Sequence, residues 1–162
     1  CTTYSRLRNI RETPKMPAFE DLFKMELFNK QMQKVSGEDA LKGKVILLYF
    51  SAHWCPPCRQ FTPVLAKFYD QAVAEGKNIA CVFVSSDQDE NAMKDYFTKE
   101  HGNYYALPHG HELADFLSGK YGVRGIPTLM VVKQNGDIIE ANGRGQVTSA
   151  KTEVCDEWAK AL

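Results

Sequence analysis

The sequence has no excess of charge of either sign: twenty Lys and Arg residues are matched by twenty Asp and Glu. That balance excludes bulk electrostatic attraction to nucleic acid or to an anionic membrane surface. Long apolar runs are missing as well. The longest, Val45 to Phe50, has the length of a strand and falls far short of a bilayer span. Cysteine is scarce and odd in number, at positions 1, 55, 58, 81 and 155, whereas a secreted disulfide scaffold is smaller, richer in cysteine and usually even-numbered. There is no internal repeat, no low-complexity tract and no apolar core of a secretory signal. What remains is a chain of 162 residues, 44% hydrophobic and 25% charged, which suits one soluble globular domain with a core that needs no staples. A monomer in a reducing compartment is expected: the cytoplasm first, with nucleus and mitochondrion as the other compatible settings.

Residues 1–18 carry no clear period and contain Pro14 and Pro17, so they read as an N-terminal extension without regular structure; residues 19–162 read as the single domain. The first residue is Cys1 and not Met, which suggests that the true N-terminus is missing or processed. Arg6, Arg8 and Arg11 precede the first acid, Glu12. They read as a solvated basic tail in preference to the end of a mitochondrial transit peptide.

Within the domain, residues 19–28 suggest a short helix running into a strand, and Gln33 to Ser36 a second short strand. Lys44 to Ser51 is β-branched and aromatic without alternation, the mark of a strand buried on both faces. From Cys58 the period becomes helical, with Phe61, Val64, Leu65, Phe68, Tyr69, Ala72 and Val73 on one stripe and Gly76 as a stop. Ile79 to Ser85 repeats the buried-strand pattern. Asp87 is placed to cap a helix to about Glu100, and a shorter helix follows over Glu112 to Tyr121. Thr128 to Val132 and Asp137 to Ala141 are strands of a hairpin through Asn135-Gly136, and Val154, Trp158 and Leu162 mark one closing helix. This order predicts an α/β fold, a central mixed sheet covered by helices on both faces.

The chemistry concentrates in Ser-Ala-His-Trp-Cys-Pro-Pro-Cys at residues 51–58, directly after a buried strand and at the start of a helix. Cys55 falls at the helix N-terminus, where unpaired N–H groups and the positive dipole end favour thiolate, the nucleophilic form. Pro57 suits an early helical position because its missing N–H is not needed there. Half a zinc site is a poor reading, since a second ligand pair is wanting: His109 and His111 are far along the chain and stand at an i,i+2 spacing. A structural staple is equally poor, because so short a loop restrains little chain entropy. A redox couple fits best, with no metal and no bound cofactor.

Three motifs then carry a resemblance: Trp54-Cys55-Pro56-Pro57-Cys58 after the apolar strand, Pro63 in the following helix, and Gly125-Ile126-Pro127-Thr128 before a strand. Together they resemble the thioredoxin-like superfamily. YFSAHWCPPCRQFTPVL, the strand ending VFVSSD and Ala106-Leu107-Pro108 look more narrowly like the tryparedoxin and nucleoredoxin group, over roughly residues 24–145. The resemblance implies that Cys55 attacks and Cys58 resolves, and that the two form the redox disulfide. It implies that Pro127, preceded by Ile126, is a cis-proline facing the disulfide, that Trp54, Pro56 and Pro57 support the site, and that Pro63 kinks the helix.

Departures from the group's pattern are equally informative. The buried Asp that many thioredoxins place six residues before the first cysteine is Tyr49 here. Ser86-Asp87 and the stretch His101-Gly102-Asn103-Tyr104-Tyr105 replace the group's usual residues, and both are expected near the partner surface. His53 stands where Ser is commoner; it reads first as a solvated side chain, second as a group that favours the Cys55 thiolate when protonated. Cys81 reads as a core residue, Cys155 as partly buried, and Arg144 as a solvated loop residue near a site used for partner binding in tryparedoxins. The function so implied is a thiol–disulfide oxidoreductase that reduces partner protein disulfides, peroxiredoxin-like or signalling proteins. It would be reset by a low-molecular-weight dithiol (trypanothione in a trypanosomatid) or a flavoprotein reductase. The competing reading is a redox-sensitive binding module that regulates a signalling partner with little turnover.

Overall fold

VILLYFS contains no charged side chain to hold in water, and it forms the middle of the sheet. In the computed structural model, which describes residues 17–149 and 151–162, β3 (Val45–Ser51) is buried at every position. It pairs parallel with β4 (Ile79–Ser85) and antiparallel with β6 (Thr128–Val132). Beyond β4 lie β5 (Tyr105–Ala106), parallel to it, then β1 (Glu26–Phe28) and the edge strand β2 (Lys34–Ser36), both antiparallel to their neighbours. β7 (Ile138–Glu140) closes the other edge against β6. Among the described residues the sheet is therefore seven-stranded and mixed, in the order β2-β1-β5-β4-β3-β6-β7. The expectation for the N-terminal extension falls on residues 1–16 and lies outside the described residues, apart from Pro17 and Ala18.

Successive side chains of a strand point to opposite faces, and here each face meets its own helices. Val45, Leu47 and Tyr49 join Ile79, Cys81 and Phe83 under α3 (Pro56–Ala74), α4 (Glu90–Glu100), α6 (Gly143–Ser149) and α7 (Val154–Ala159). Ile46, Leu48 and Phe50 join Ala80, Val82 and Val84 under α1 (Asp21–Lys24), α2 (Gly37–Leu41) and α5 (Glu112–Lys120). A sheet clad on both faces explains why its inner strands read as unbroken apolar runs.

Three expectations need correction. The cap of α4 is Asp89, whose Oδ1 accepts from the Ala92 N–H at 2.7 Å; Asp87 is drawn inward instead. The closing segment is two helices. In α7 the buried pair is Cys155 and Trp158, an i,i+3 stripe, while Leu162 lies past the helix end and is 49% exposed. The helix before it, α6 (GRGQVTS), hides behind two glycines of poor helix propensity. Gly143 is required by contact: a Cβ there would stand 2.6 Å from the Leu129 carbonyl oxygen of β6.

Phe83 is the packing centre of the first face, with its ring centroid 4.1 Å from His101, 5.5 Å from Tyr96 and 5.9 Å from Phe97. Phe83→Ala should cost about 3–5 kcal/mol in denaturant unfolding, the usual loss for a buried phenylalanine.

Candidate active site

β3 ends at Ser51 and α3 begins at Pro56, leaving Ala52 to Cys55 to make the turn. Cys55 is the N-cap of α3, in extended conformation. A helix has four N–H groups without helical partners at its start, but Pro56 and Pro57 carry none. The Cys58 N–H is thus the first one present, and it points at the Cys55 Sγ, 3.4 Å away. The Arg59 N–H donates to the Cys55 carbonyl at 3.1 Å. The two prolines therefore leave the sulfur of Cys55 as the acceptor for the first free donor of the helix, the place an N-cap oxygen usually takes.

Both cysteines are thiols in the structure, and their surroundings differ. Cys58 is fully buried; burial pushes its thiol up to about 11, with the neighbouring Cys55 adding to the rise and the Ala52 backbone, then Ser51, opposing it. Cys55 is 5% exposed, less open than its place at the helix tip suggests, against complete burial for Cys58. Beside Cys55 the Ile126–Pro127 bond is cis, and the Ile126 carbonyl lies 3.7 Å from the Cys55 Sγ. Arg144 holds the same loop: on α6, it donates from Nη1 to the Pro127 carbonyl at 3.1 Å and lies over the Phe61 ring. It is exposed, as expected, but it stands on a helix and braces the loop.

A second loop clips the turn from the other side. Asp87, buried at the end of β4, accepts from the His53 N–H at 2.8 Å and from the Ser85 hydroxyl at 2.6 Å. The Trp54 indole is 57% exposed and donates to the Ser86 carbonyl at 2.9 Å, so it lies over this loop beside Cys55. Pro56 and Pro57 are exposed at the helix tip, whereas Pro127 is buried and Ile126 half-buried. The ring of His53 is 3.1 Å from the Glu100 carboxylate and packs near Tyr96. Any charge it gains is therefore offset by a carboxylate on α4. His101 and Tyr104, expected near a partner surface, are core residues: the Tyr104 hydroxyl meets His101 Nδ1 at 2.5 Å.

This architecture is shared. Residues 43–138 match the family model described as Thioredoxin-like. The chain belongs to the thioredoxin-like oxidoreductase family. It is 43% identical over 110 residues to a tryparedoxin of Trypanosoma brucei brucei, covering 67% of this chain and 74% of that one. It is 38% identical over 120 residues to human nucleoredoxin, covering 74% of this chain but only 27% of that protein. The solved structure of a thioredoxin from Wuchereria bancrofti superposes with a TM-score of 0.74 at 40% identity, over 87% of this chain and 98% of the other. This chain thus spans about a quarter of the length of the curated nucleoredoxins it matches.

Of the site residues foreseen from sequence, Cys55 and Cys58 meet at the start of α3, which Pro56 and Pro57 open and Trp54 precedes, and the Ile126–Pro127 loop lies against the Cys55 sulfur. Thr62 and Tyr96 were not foreseen beside it: the Thr62 hydroxyl donates to the Cys58 carbonyl at 2.8 Å and lies against the Tyr96 hydroxyl. The one sequence signal is Thr62 itself, a polar residue interrupting an otherwise apolar pattern.

Burial orders the reactivity of the described thiols. Brief iodoacetamide treatment followed by peptide mapping should label Cys55 before Cys58, Cys81 or Cys155, of which the last three are at most 2% exposed. Burial also holds the Cys155 thiol up at about 12 and Cys81 well above its ordinary value. Labelling of Cys81 ahead of Cys55 would contradict this order. Because Glu100 offsets His53, His53→Ser should change the Cys55 alkylation rate by no more than about threefold, as for a screened surface charge.

Proposed function

We propose that the protein is a dithiol–disulfide oxidoreductase that reduces disulfides of partner proteins through Cys55 and Cys58. The observation that carries the reading is the asymmetry of the pair: one cysteine caps the helix N-terminus and keeps 5% of its surface exposed, the other is fully buried one turn further in. Cys55, as thiolate, attacks a partner disulfide and forms a mixed disulfide. Its electron pair makes the new S–S bond, and the partner's other sulfur leaves as a thiol. Cys58 then attacks the Cys55 sulfur, which releases the second partner sulfur and leaves the Cys55–Cys58 disulfide. That step is intramolecular, with the high effective concentration such steps enjoy.

The groove between Trp54 and the Ile126–Pro127 loop is the place for the partner's extended backbone. Peroxiredoxin-like or signalling proteins suit as partners, and a low-molecular-weight dithiol or a flavoprotein reductase as the donor that resets the pair. The chain works as a monomer in this scheme, in the cytoplasm or another reducing compartment.

Removal of one sulfur at a time tests the assignment. Cys58→Ser should accumulate a stable mixed disulfide with a disulfide-containing partner, and Cys55→Ser should accumulate none, read on non-reducing gels with mass spectrometry. Equal adduct formation through Cys58 in the Cys55→Ser protein would overturn the roles.

A further inference from the structure

The loop that follows β4 is stitched to the turn before α3 at three places. The Ser86 N–H donates to the Ser51 carbonyl at 2.9 Å, the His53 N–H to Asp87 Oδ1 at 2.8 Å, and the Trp54 indole N–H to the Ser86 carbonyl at 2.9 Å. The first two bonds hold backbone. The third holds a large side chain that is 57% exposed and has no other bond to keep it in place.

Side chains set the direction of that Ser86 carbonyl. A carboxylate accepts at both oxygens and donates at neither. Asp87, which is buried, takes the His53 N–H at Oδ1 and the Ser85 hydroxyl at Oδ2, 2.6 Å away. With its one hydrogen so used, the Ser85 Oγ accepts from the Asp87 N–H at 2.9 Å. That N–H and the Ser86 carbonyl belong to one planar trans peptide unit, in which they point opposite ways. Fixing the N–H therefore fixes the carbonyl that seats the indole. The Asp87 carbonyl accepts from His109 Nε2 at 2.8 Å, so the chain is pinned on the far side as well.

We propose that Asp87 and Ser85 are positioning residues for partner binding: through the Ser86–Asp87 peptide they hold the Trp54 indole as a fixed wall of the place where the partner's backbone lies beside Cys55. This rests on the reading of the protein as a reductase of partner disulfides. The two side chains act before the sulfur chemistry and take no part in it.

The chemistry at position 87 explains why the residue is an acid. Asparagine would bring one acceptor oxygen and an NH2 group. With the oxygen on the His53 N–H, the NH2 would face Ser85 and leave the serine hydrogen without its acceptor. Turned round, it would set donor against donor at His53. Of the two, the carboxylate alone serves both. Burying it is costly without donors, and the turn backbone and Ser85 supply them. The His53 ring is turned to Glu100, 3.1 Å away, so Asp87 acts on the backbone of the turn and not on the imidazole. An exposed aromatic side chain already held in place loses less freedom when a partner arrives.

Exchange of the two indole N–H groups with water, followed by NMR on the reduced full chain, reads the seat directly. Trp54 is assigned by its loss in Trp54→Phe. Asp87→Ala removes both acceptors, whereas Ser85→Ala keeps the His53 anchor and frees only the Ser86–Asp87 peptide. Each should speed Trp54 exchange about fivefold, the weight of one neutral hydrogen bond, with Asp87→Asn between wild type and Asp87→Ala. Trp158, buried against Phe68, should keep its protection and so report the fold. In insulin reduction with excess dithiol, Ser85→Ala should raise KM by a similar factor and alter kcat less. Added to Trp54→Phe, it should raise KM no further. Unchanged Trp54 exchange in both alanine variants, equal acceleration of both indoles, or the same KM rise with and without the indole would overturn the proposal. A wild-type protein that shows the expected exchange but reduces no insulin would instead overturn the reductase reading, and the partner-binding role with it.

Discussion

The site depends on one junction, where the chain stops being a buried strand at Ser51 and becomes a helix at Pro56. Because β3 is held on both sides by β4 and β6, its end cannot drift, and the start of α3 is fixed with it. The two prolines then remove the donors that would otherwise spread the field of the helix tip. What is left converges on the Cys55 sulfur. Loops from either side hold the turn in place, Ser86 and Asp87 through Trp54 and His53, and Arg144 through the Pro127 carbonyl.

The same junction separates the two thiols by environment. They are three residues apart, yet Cys55 keeps some exposed surface while Cys58 is fully buried, with the hydroxyls of Tyr49 and Thr62 at its carbonyl. A buried charge there would need a partner or would shift its own titration. Tyr49 and Thr62 avoid that cost while keeping polar contact with the backbone of Cys58. In the proposed mechanism this asymmetry gives the pair a direction: the outer sulfur meets the partner, and the inner one becomes reactive at closure.

Much of this was legible in the sequence. Both buried strands, β3 and β4, announced themselves through unbroken apolar runs, and the Asn135-Gly136 turn marked the hairpin. Cys55, Cys58, Trp54 and the Ile126–Pro127 loop were identifiable from motif and resemblance. What stayed hidden had tertiary causes. α6 has glycines because it lies against β6, and its sequence alone reads as loop. Asp87 has the look of a helix cap but is used by the His53 backbone, so the cap passes to Asp89. His101 and Tyr104 read as surface polars, yet they satisfy each other inside an aromatic shell that no local pattern reveals. Arg144 became a brace only once α6 formed.

Turnover is the property that all of this geometry would serve. Reduction of insulin disulfides in the presence of excess dithiol measures it directly, with the protein supplied in catalytic amount. The account predicts many insulin disulfides reduced per protein molecule, with all catalysis above the dithiol background lost when either Cys55 or Cys58 is replaced by Ser. A protein that binds its partners but reduces no more than one disulfide per molecule would contradict it.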